Sequence, residues 1–267
     1  MTQSSLGAPK PSRRPPRLRQ ATEILIAVVL ILLLWEGAVR WLQIKPYLLP
    51  APSAIWQTGW ESRRYLAQHL LATLQTTVTG FGAALGLAGL LALAMHWAPP
   101  VARILQPLTV VSQTLPTAIT APLLLIWVGF SFTTKVVAAV LNAFFPILVA
   151  LYDGLRRPDP DAALLFAAAG ASRWQRFWKL ELPGAVPALL SGMRVGMVSA
   201  LTGAVVGEWI VGKDGLGFWA KSMASQLETA ETFAAVGLTS LLGITLYLLL
   251  GLIERFLLAW QRPQTHR

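Results

Sequence analysis

Long, almost uniformly apolar runs recur along this chain. Ile24 to Leu34 is free of polar side chains, and Phe81 to Met95 contains only Phe, Gly, Ala, Leu and Met. Hydrocarbon about 30 Å thick is crossed by roughly 20 apolar residues wound as a helix. Backbone groups in lipid must be satisfied within the chain, which leaves helices or closed barrels, and these runs lack the alternation of a barrel strand. The pattern predicts an all-α, polytopic membrane protein with about six spans, over 22–43, 70–97, 102–128, 134–154, 186–210 and 234–258. The polar remainder includes one oversized interruption, Asp159 to Pro183, longer than a simple turn between two spans requires.

Composition agrees with that class. Of 267 residues, 55% are hydrophobic and 13% charged, whereas a soluble domain carries about 25% charged residues. The chain has no cysteine, which excludes disulfides, thiolate metal sites and cysteine nucleophiles. His69, His96 and His266 have no ligand spacing. The net charge of +10 does not require nucleic acid, because excess Lys and Arg in a membrane protein marks its cytoplasmic loops.

With the N-terminus inside, the cytoplasmic segments hold Lys10 to Arg19, Arg103, Arg156, Arg157, Arg173, Arg176, Lys179 and the C-terminal arginines. Fewer cations, among them Lys45, Arg63, Arg64 and Lys135, fall outside. This bias predicts that both termini and the 155–185 loop are cytoplasmic. Residues 1–21 read as a disordered basic tail near anionic headgroups, 22–258 as the transmembrane domain, and 259–267 as a cytoplasmic tail. Ser12-Arg13-Arg14 before an apolar run is faintly similar to a twin-arginine signal, but the run is too long and no small-residue cleavage site follows Leu34.

The first outer segment, Ile44 to Gln68, combines Pro46, Pro50 and Pro52 with Trp56, Trp60 and Tyr65. It reads as an interfacial stretch. Gly82 and Gly86 allow close helix approach, within the chain or at a dimer seam. Glu36 and Arg40 are spaced as an i,i+4 ion pair, which lowers the cost of burial.

Polar residues at membrane depth are candidates for a translocation pathway. The third span carries Gln113, Thr114 and Thr117 around Pro116, with Pro122 following, and two prolines do not fit one straight, fully bonded helix. Asn142 lies beside Phe144, Phe145 and Pro146 in the fourth span, and Glu208 near the end of the fifth. Gln113 and Asn142 either line a pathway or bond a neighbouring helix; Glu208 either lines it or forms a solvated helix end. Trp127 and Phe145 offer rings for stacking. No catalytic constellation and no Gly-x-x-x-x-Gly-Lys-Ser/Thr nucleotide loop occurs, so ATP-driven transport would need ATP bound by another protein. An ion-coupled secondary transporter would show internal repeats and a titratable midplane cluster, and none is evident.

Asp159-Pro160-Asp161 supplies an acidic, proline-containing helix start. Ala162 to Ala169 then reads as a helix stopped by Gly170, and Ser172 caps a second helix from Arg173 towards Leu182. Its Trp174, Phe177 and Trp178 repeat at helical spacing. Such a unit either rests on lipid or docks into a soluble partner.

These residues resemble the cytoplasmic coupling loop of the inner-membrane permease subunits of binding-protein-dependent ABC importers. The family pattern is Glu-Ala-Ala, three residues, Gly, nine residues, Ile-x-Leu-Pro. Gly170 and Leu180-Glu181-Leu182-Pro183 keep its second half, while Leu164 stands at the glutamate position. Tyr47 to Ser53, and Gly203 to Glu208 followed by Gly215-Leu216-Gly217, resemble the nitrate/sulfonate/taurine branch. Ser112 to Pro116, Ala121 to Leu124, Trp127 to Gly129 and Phe144 to Ile147 are most similar to permeases for pyrimidine precursors of thiamine.

The resemblance implies a type I (MetI-like) ABC importer permease fold and a homodimeric pore embedded in lipid. It also implies a periplasmic or lipid-anchored solute-binding protein on the outer face. ATPase subunits, carrying ATP and magnesium that this chain does not bind, would dock at Asp161, Ala169, Gly170, Ala171, Ser172, Trp174, Leu180 and Pro183. Residues Gln113, Thr114, Thr117, Trp127, Asn142, Phe145 and Glu208 are the expected pathway set.

Overall fold

A computed structural model describes residues 17–113 and 117–258, with no strand among them. The helices are α1 Arg17–Trp41, α2 Pro52–Glu61, α3 Arg63–Trp97, α4 Pro99–Gln113, α5 Thr117–Val128, α6 Phe132–Arg156, α7 Pro160–Ala168, α8 Arg173–Arg176, α9 Leu182–Val211, α10 Leu216–Ser225 and α11 Thr229–Leu257. A π-helical turn over Phe177–Glu181 joins α8 to α9.

Five continuous helical stretches among the described residues are long and apolar enough to cross a membrane: Thr22–Trp41, Arg63–Trp97, Phe132–Arg156, Arg173–Val211 and Thr229–Leu257. The third predicted span falls on α4 and α5, and residues 114–116 between them lie outside the described residues. Thr114 and Pro116 therefore have no place in the structural account. Pro122 is accommodated inside α5.

Three other boundaries move. α1 starts at Arg17, inside the stretch read as a disordered tail. α3 starts at Arg63, so the outer segment read as ending at Gln68 contains one short helix, α2, and the first turns of α3. The second coupling helix and the fifth span, expected to be separate, form one 39-residue run. The Leu182 N–H bonds to the Phe177 carbonyl, widening the turn just before Pro183. Proline has no N–H to bond back, and the widened turn directly before it accommodates that missing bond inside the continuous run.

The centre of the body is α6 against α9, with α3 alongside both. Small residues let these helices close: a Cβ on Gly203 would run into the Ala138 carbonyl, and one on Gly196 into Ile147. Around this seam Phe81, Ile147, Leu148, Leu155, Phe177, Met197 and Leu246 form the main apolar core. Substituting Gly203→Ala is expected to destabilise the purified permease by about 1–3 kcal/mol through overpacking, read as a lower Tm. Gly82 and Gly86 behave otherwise: a Cβ on either meets nothing within 4 Å, so neither glycine is needed for packing within one chain.

α1 lies at the edge and touches the body mainly through α2. The pair read from sequence is present: Arg40 Nε donates to Glu36 at 2.6 Å. The same carboxylate accepts from the Ser53 backbone N–H at 3.0 Å and its hydroxyl at 2.7 Å. Glu36 thus fastens the N-terminus of α2 to α1, where a negative charge is favoured.

Candidate functional site

The loop from Asp159 to Pro183 is built by local chemistry. Asp159 caps α7, its carboxylate accepting from the Ala162 N–H at 2.9 Å, with Pro160 in the first turn. Gly170 ends that helix at φ +67°. Its N–H reaches the Ala167 carbonyl at 3.1 Å, and the Ala171 N–H reaches that of Phe166 at 3.0 Å. These two bonds are the paired closure of a Schellman stop, in which glycine takes the left-handed residue. Ser172 then opens α8 with a reciprocal box: its hydroxyl accepts from the Gln175 N–H at 3.2 Å, and the Gln175 side chain accepts from the Ser172 N–H at 2.9 Å. Two helix ends are thereby sealed within three residues, and the turn keeps its shape without a partner.

The underside of this unit is bolted to the body by a residue that sequence reasoning left out of the site, Glu181. It is buried, accepts from Arg176 Nε at 2.6 Å and lies 3.0 Å from His96 Nε2 at the end of α3. Residues five apart do not face each other on an α-helix; the widened turn brings Arg176 and Glu181 together. Phe177 is buried beside them, with ring centroids 5.3 Å from Trp97 and 5.5 Å from His96. Leu182 packs against the main core, while Leu180 and Pro183 are half-buried. The outward side is apolar and open: Leu164 is 69% exposed, Leu165 70% and Trp174 62%. Asp161 and Ala169 are exposed on α7 and at its end, and Ala171 is half-buried.

Glu208 is fully buried and so is not a solvated helix end. Its Oε2 accepts from the Gly217 N–H at 2.9 Å and from the Thr73 hydroxyl at 3.0 Å. Thr73 Oγ1 accepts from the Leu216 N–H at 2.8 Å, and His69 Nδ1 from that of Gly215 at 3.0 Å. Three side chains from α3 and α9 thus take the first N–H groups of α10, which have no partner inside their own helix. Gly215, at φ +105°, has no room for a side chain because the Glu208 carboxylate lies against it.

Lys135, counted from sequence among the outer loop cations, is instead buried at the start of α6 and ion-paired to Asp214. The Gly-Glu and Gly-Leu-Gly signatures are therefore the two halves of one clamp on α10.

The remaining described pathway candidates lie on α4, α5 and α6. Trp127 is 73% exposed on α5, and Phe145 is half-buried with its ring against Phe144. Asn142 donates to the Ala138 carbonyl one turn back at 2.9 Å. Gln113 ends α4 and Thr117 begins α5. Arg194 in α9 is engaged by Glu254 at 2.9 Å, and its guanidinium lies 4.1 Å from the Tyr247 ring centroid.

Residues 64–267 match the family described as binding-protein-dependent transport system inner membrane component. The chain is 36% identical over 249 residues to the formylaminopyrimidine transport permease protein ThiX of Halalkalibacterium halodurans, covering 93% of this chain and 99% of the relative. It is 33% identical to the riboflavin transport system permease protein RibX of Chloroflexus aurantiacus, covering 94% and 97% respectively. A crystal structure of an amino acid ABC transporter with histidines superposes with a TM-score of 0.64 at 18% identity, over 74% of this chain and 97% of that one, which supports the fold. This chain belongs to the inner-membrane permease components of binding-protein-dependent ABC importers: a multi-pass subunit that works with a solute-binding protein and leaves ATP hydrolysis to a separate ATPase.

Proposed function

We propose that two copies of this chain form the pore, with both termini and the 155–185 loop in the cytoplasm, and that the loop carries motion from the ATPase subunits into α9. The observation that supports this is the pre-formed helix–Gly170–helix unit. Its free face exposes Leu164, Leu165 and Trp174, while its other face is fixed by Glu181 and Phe177. The loop runs without a break into α9, so a force on α8 reaches the centre of the α6–α9 seam through a single helix. ATP binding would draw the two loops together and turn the cavity outward; hydrolysis would reset it.

For the solute, the favoured reading is a small heteroaromatic compound of the pyrimidine, thiamine-precursor type. The relatives named above are designated for formylaminopyrimidine and riboflavin, both nitrogen heterocycles. A taurine, aliphatic sulfonate or nitrate permease would favour an uncommitted cation or helix N-terminus at membrane depth. Arg40, Lys135 and Arg194 each have a carboxylate partner already. Gln113, Thr114, Thr117, Trp127, Asn142 and Phe145 remain the proposed lining; Glu208 is withdrawn from it because it clamps α10.

Calorimetry on the cognate solute-binding protein tests the choice of solute. Formylaminopyrimidine or hydroxymethylpyrimidine is expected to bind at least tenfold more tightly than taurine or nitrate, a difference of about 1.4 kcal/mol or more. Taurine binding with the pyrimidines inert would reject the heteroaromatic assignment.

A further inference from the structure

Two cavities of about 290 and 330 Å³ lie beside the base of the coupling loop, and His96 and Pro99 line both. The first is also walled by Arg103, Gln106, Tyr152 and Arg156, the second by Trp97, Arg173, Arg176 and Glu181. Four arginines from α4, α6 and α8 therefore surround one turn, the corner between α3 and α4. The only acid in either wall is Glu181, already held by Arg176 and His96. Arg103, Arg156 and Arg173 have no carboxylate within ion-pair distance among the described residues. Arg103 and Arg156 line the first cavity and Arg173 the second, and like charges so gathered repel unless an anion joins them.

We propose that these two adjoining cavities, which share His96 and Pro99, together form a cleft that binds the phosphate of an anionic phospholipid headgroup. The shared chemistry is a phosphate held by arginine forks, and the surroundings favour the lipid over the free ion. The cleft lies where α3 and α6 end, at Trp97 and Arg156. Trp97, in the wall of the second cavity, is 44% exposed, as interfacial aromatics are. Ile104, one residue after Arg103, is 65% exposed and offers an apolar bed for an acyl chain. Basic pockets between transmembrane helices are the recurring form of such sites. A liquid water occupies about 30 Å³, so each cavity has room on the order of ten waters, enough for a phosphoglycerol group. Bound there, the headgroup ties α8 to α4 and α6 and fixes the base of the loop independently of what its outer face meets.

Native mass spectrometry of the full-length permease in mild detergent tests this, with phosphatidylglycerol, phosphatidylcholine and inorganic phosphate as probes. Phosphatidylglycerol is expected to be retained in preference to phosphatidylcholine and not displaced by millimolar phosphate. The double variant Arg103→Gln, Arg173→Gln is expected to weaken its binding roughly 30-fold, and the corresponding double lysine variant, which keeps the charge but not the fork, to lie between it and the wild type. Arg157→Gln, outside both walls, is expected to leave it unchanged. These arginines are exposed, so an unaltered Tm separates loss of the lipid from loss of the fold. Equal retention of phosphatidylcholine would overturn the proposal, as would an equal effect of Arg157→Gln. Displacement by phosphate with the same arginine dependence would assign the cleft to a free anion and overturn the lipid.

Discussion

Replacing Glu208 by alanine is expected to leave little correctly assembled permease in the membrane. The carboxylate is fully buried and accepts two hydrogen bonds, from Gly217 N–H and Thr73. Removing it strands both donors where water does not reach them, at about 1–3 kcal/mol for each unsatisfied group. It also opens a void against Gly215. A total on the order of 3–5 kcal/mol is a large share of the 5–15 kcal/mol that holds a domain folded. The variant is expected to show a sharply lower yield and Tm, with α10 the first segment cut by protease. Glu208→Gln keeps one acceptor oxygen and is expected to lie between the two. If Glu208→Ala retained wild-type stability but lost transport, the residue would return to the pathway and the clamp would be wrong.

Gly170→Arg is expected to act on coupling rather than on folding. At φ +67° any side chain strains the backbone, at about 1–2 kcal/mol. Open space surrounds the position, since a Cβ meets nothing within 4 Å, so the transmembrane body should fold normally. Relieving the strain reopens the Schellman stop and swings α7 away from α8. A bulky cation is also placed at the tip of the unit. The permease is expected to reach the membrane in near-normal amounts, with recovery of the ATPase in pull-downs and transport each reduced roughly tenfold or more, the size that 1–2 kcal/mol of docking energy implies. Gly170→Asn, which tolerates the left-handed region better, should retain much of both. Normal transport and ATPase recovery in Gly170→Arg would remove the loop from the coupling path.

The features legible in the sequence were those governed by near neighbours. Apolar runs marked the spans because lipid imposes the same demand on every residue of a crossing helix. Asp159, Gly170 and Ser172 announced their roles because caps and stops are settled within a few residues, and all three adopt the geometry their chemistry favours. Pro183 misled for a related reason. Read locally it marks a fresh start, and only the π turn before it, braced by Glu181 against His96, allows α8 and α9 to run together.

The clamp on α10 was out of reach for a different reason. His69, Thr73, Lys135, Glu208 and Gly215 come from three helices and one turn, and no spacing along the chain relates them. Lys135 in particular looks like an ordinary loop cation until Asp214 closes over it.

The central claim, that the 155–185 loop is where the ATPase grips this subunit, is most directly tested by cross-linking. The chain has no cysteine of its own, so Leu165→Cys places a single thiol on the exposed face of α7, and Ser225→Cys places one on α10 at the opposite end of the body. With the assembled complex and a short thiol-to-amine reagent, Leu165→Cys is expected to join to the ATPase subunit in an ATP-dependent yield, and Ser225→Cys to the solute-binding protein alone. Cross-links to the ATPase from position 225, with none from position 165, would contradict the account.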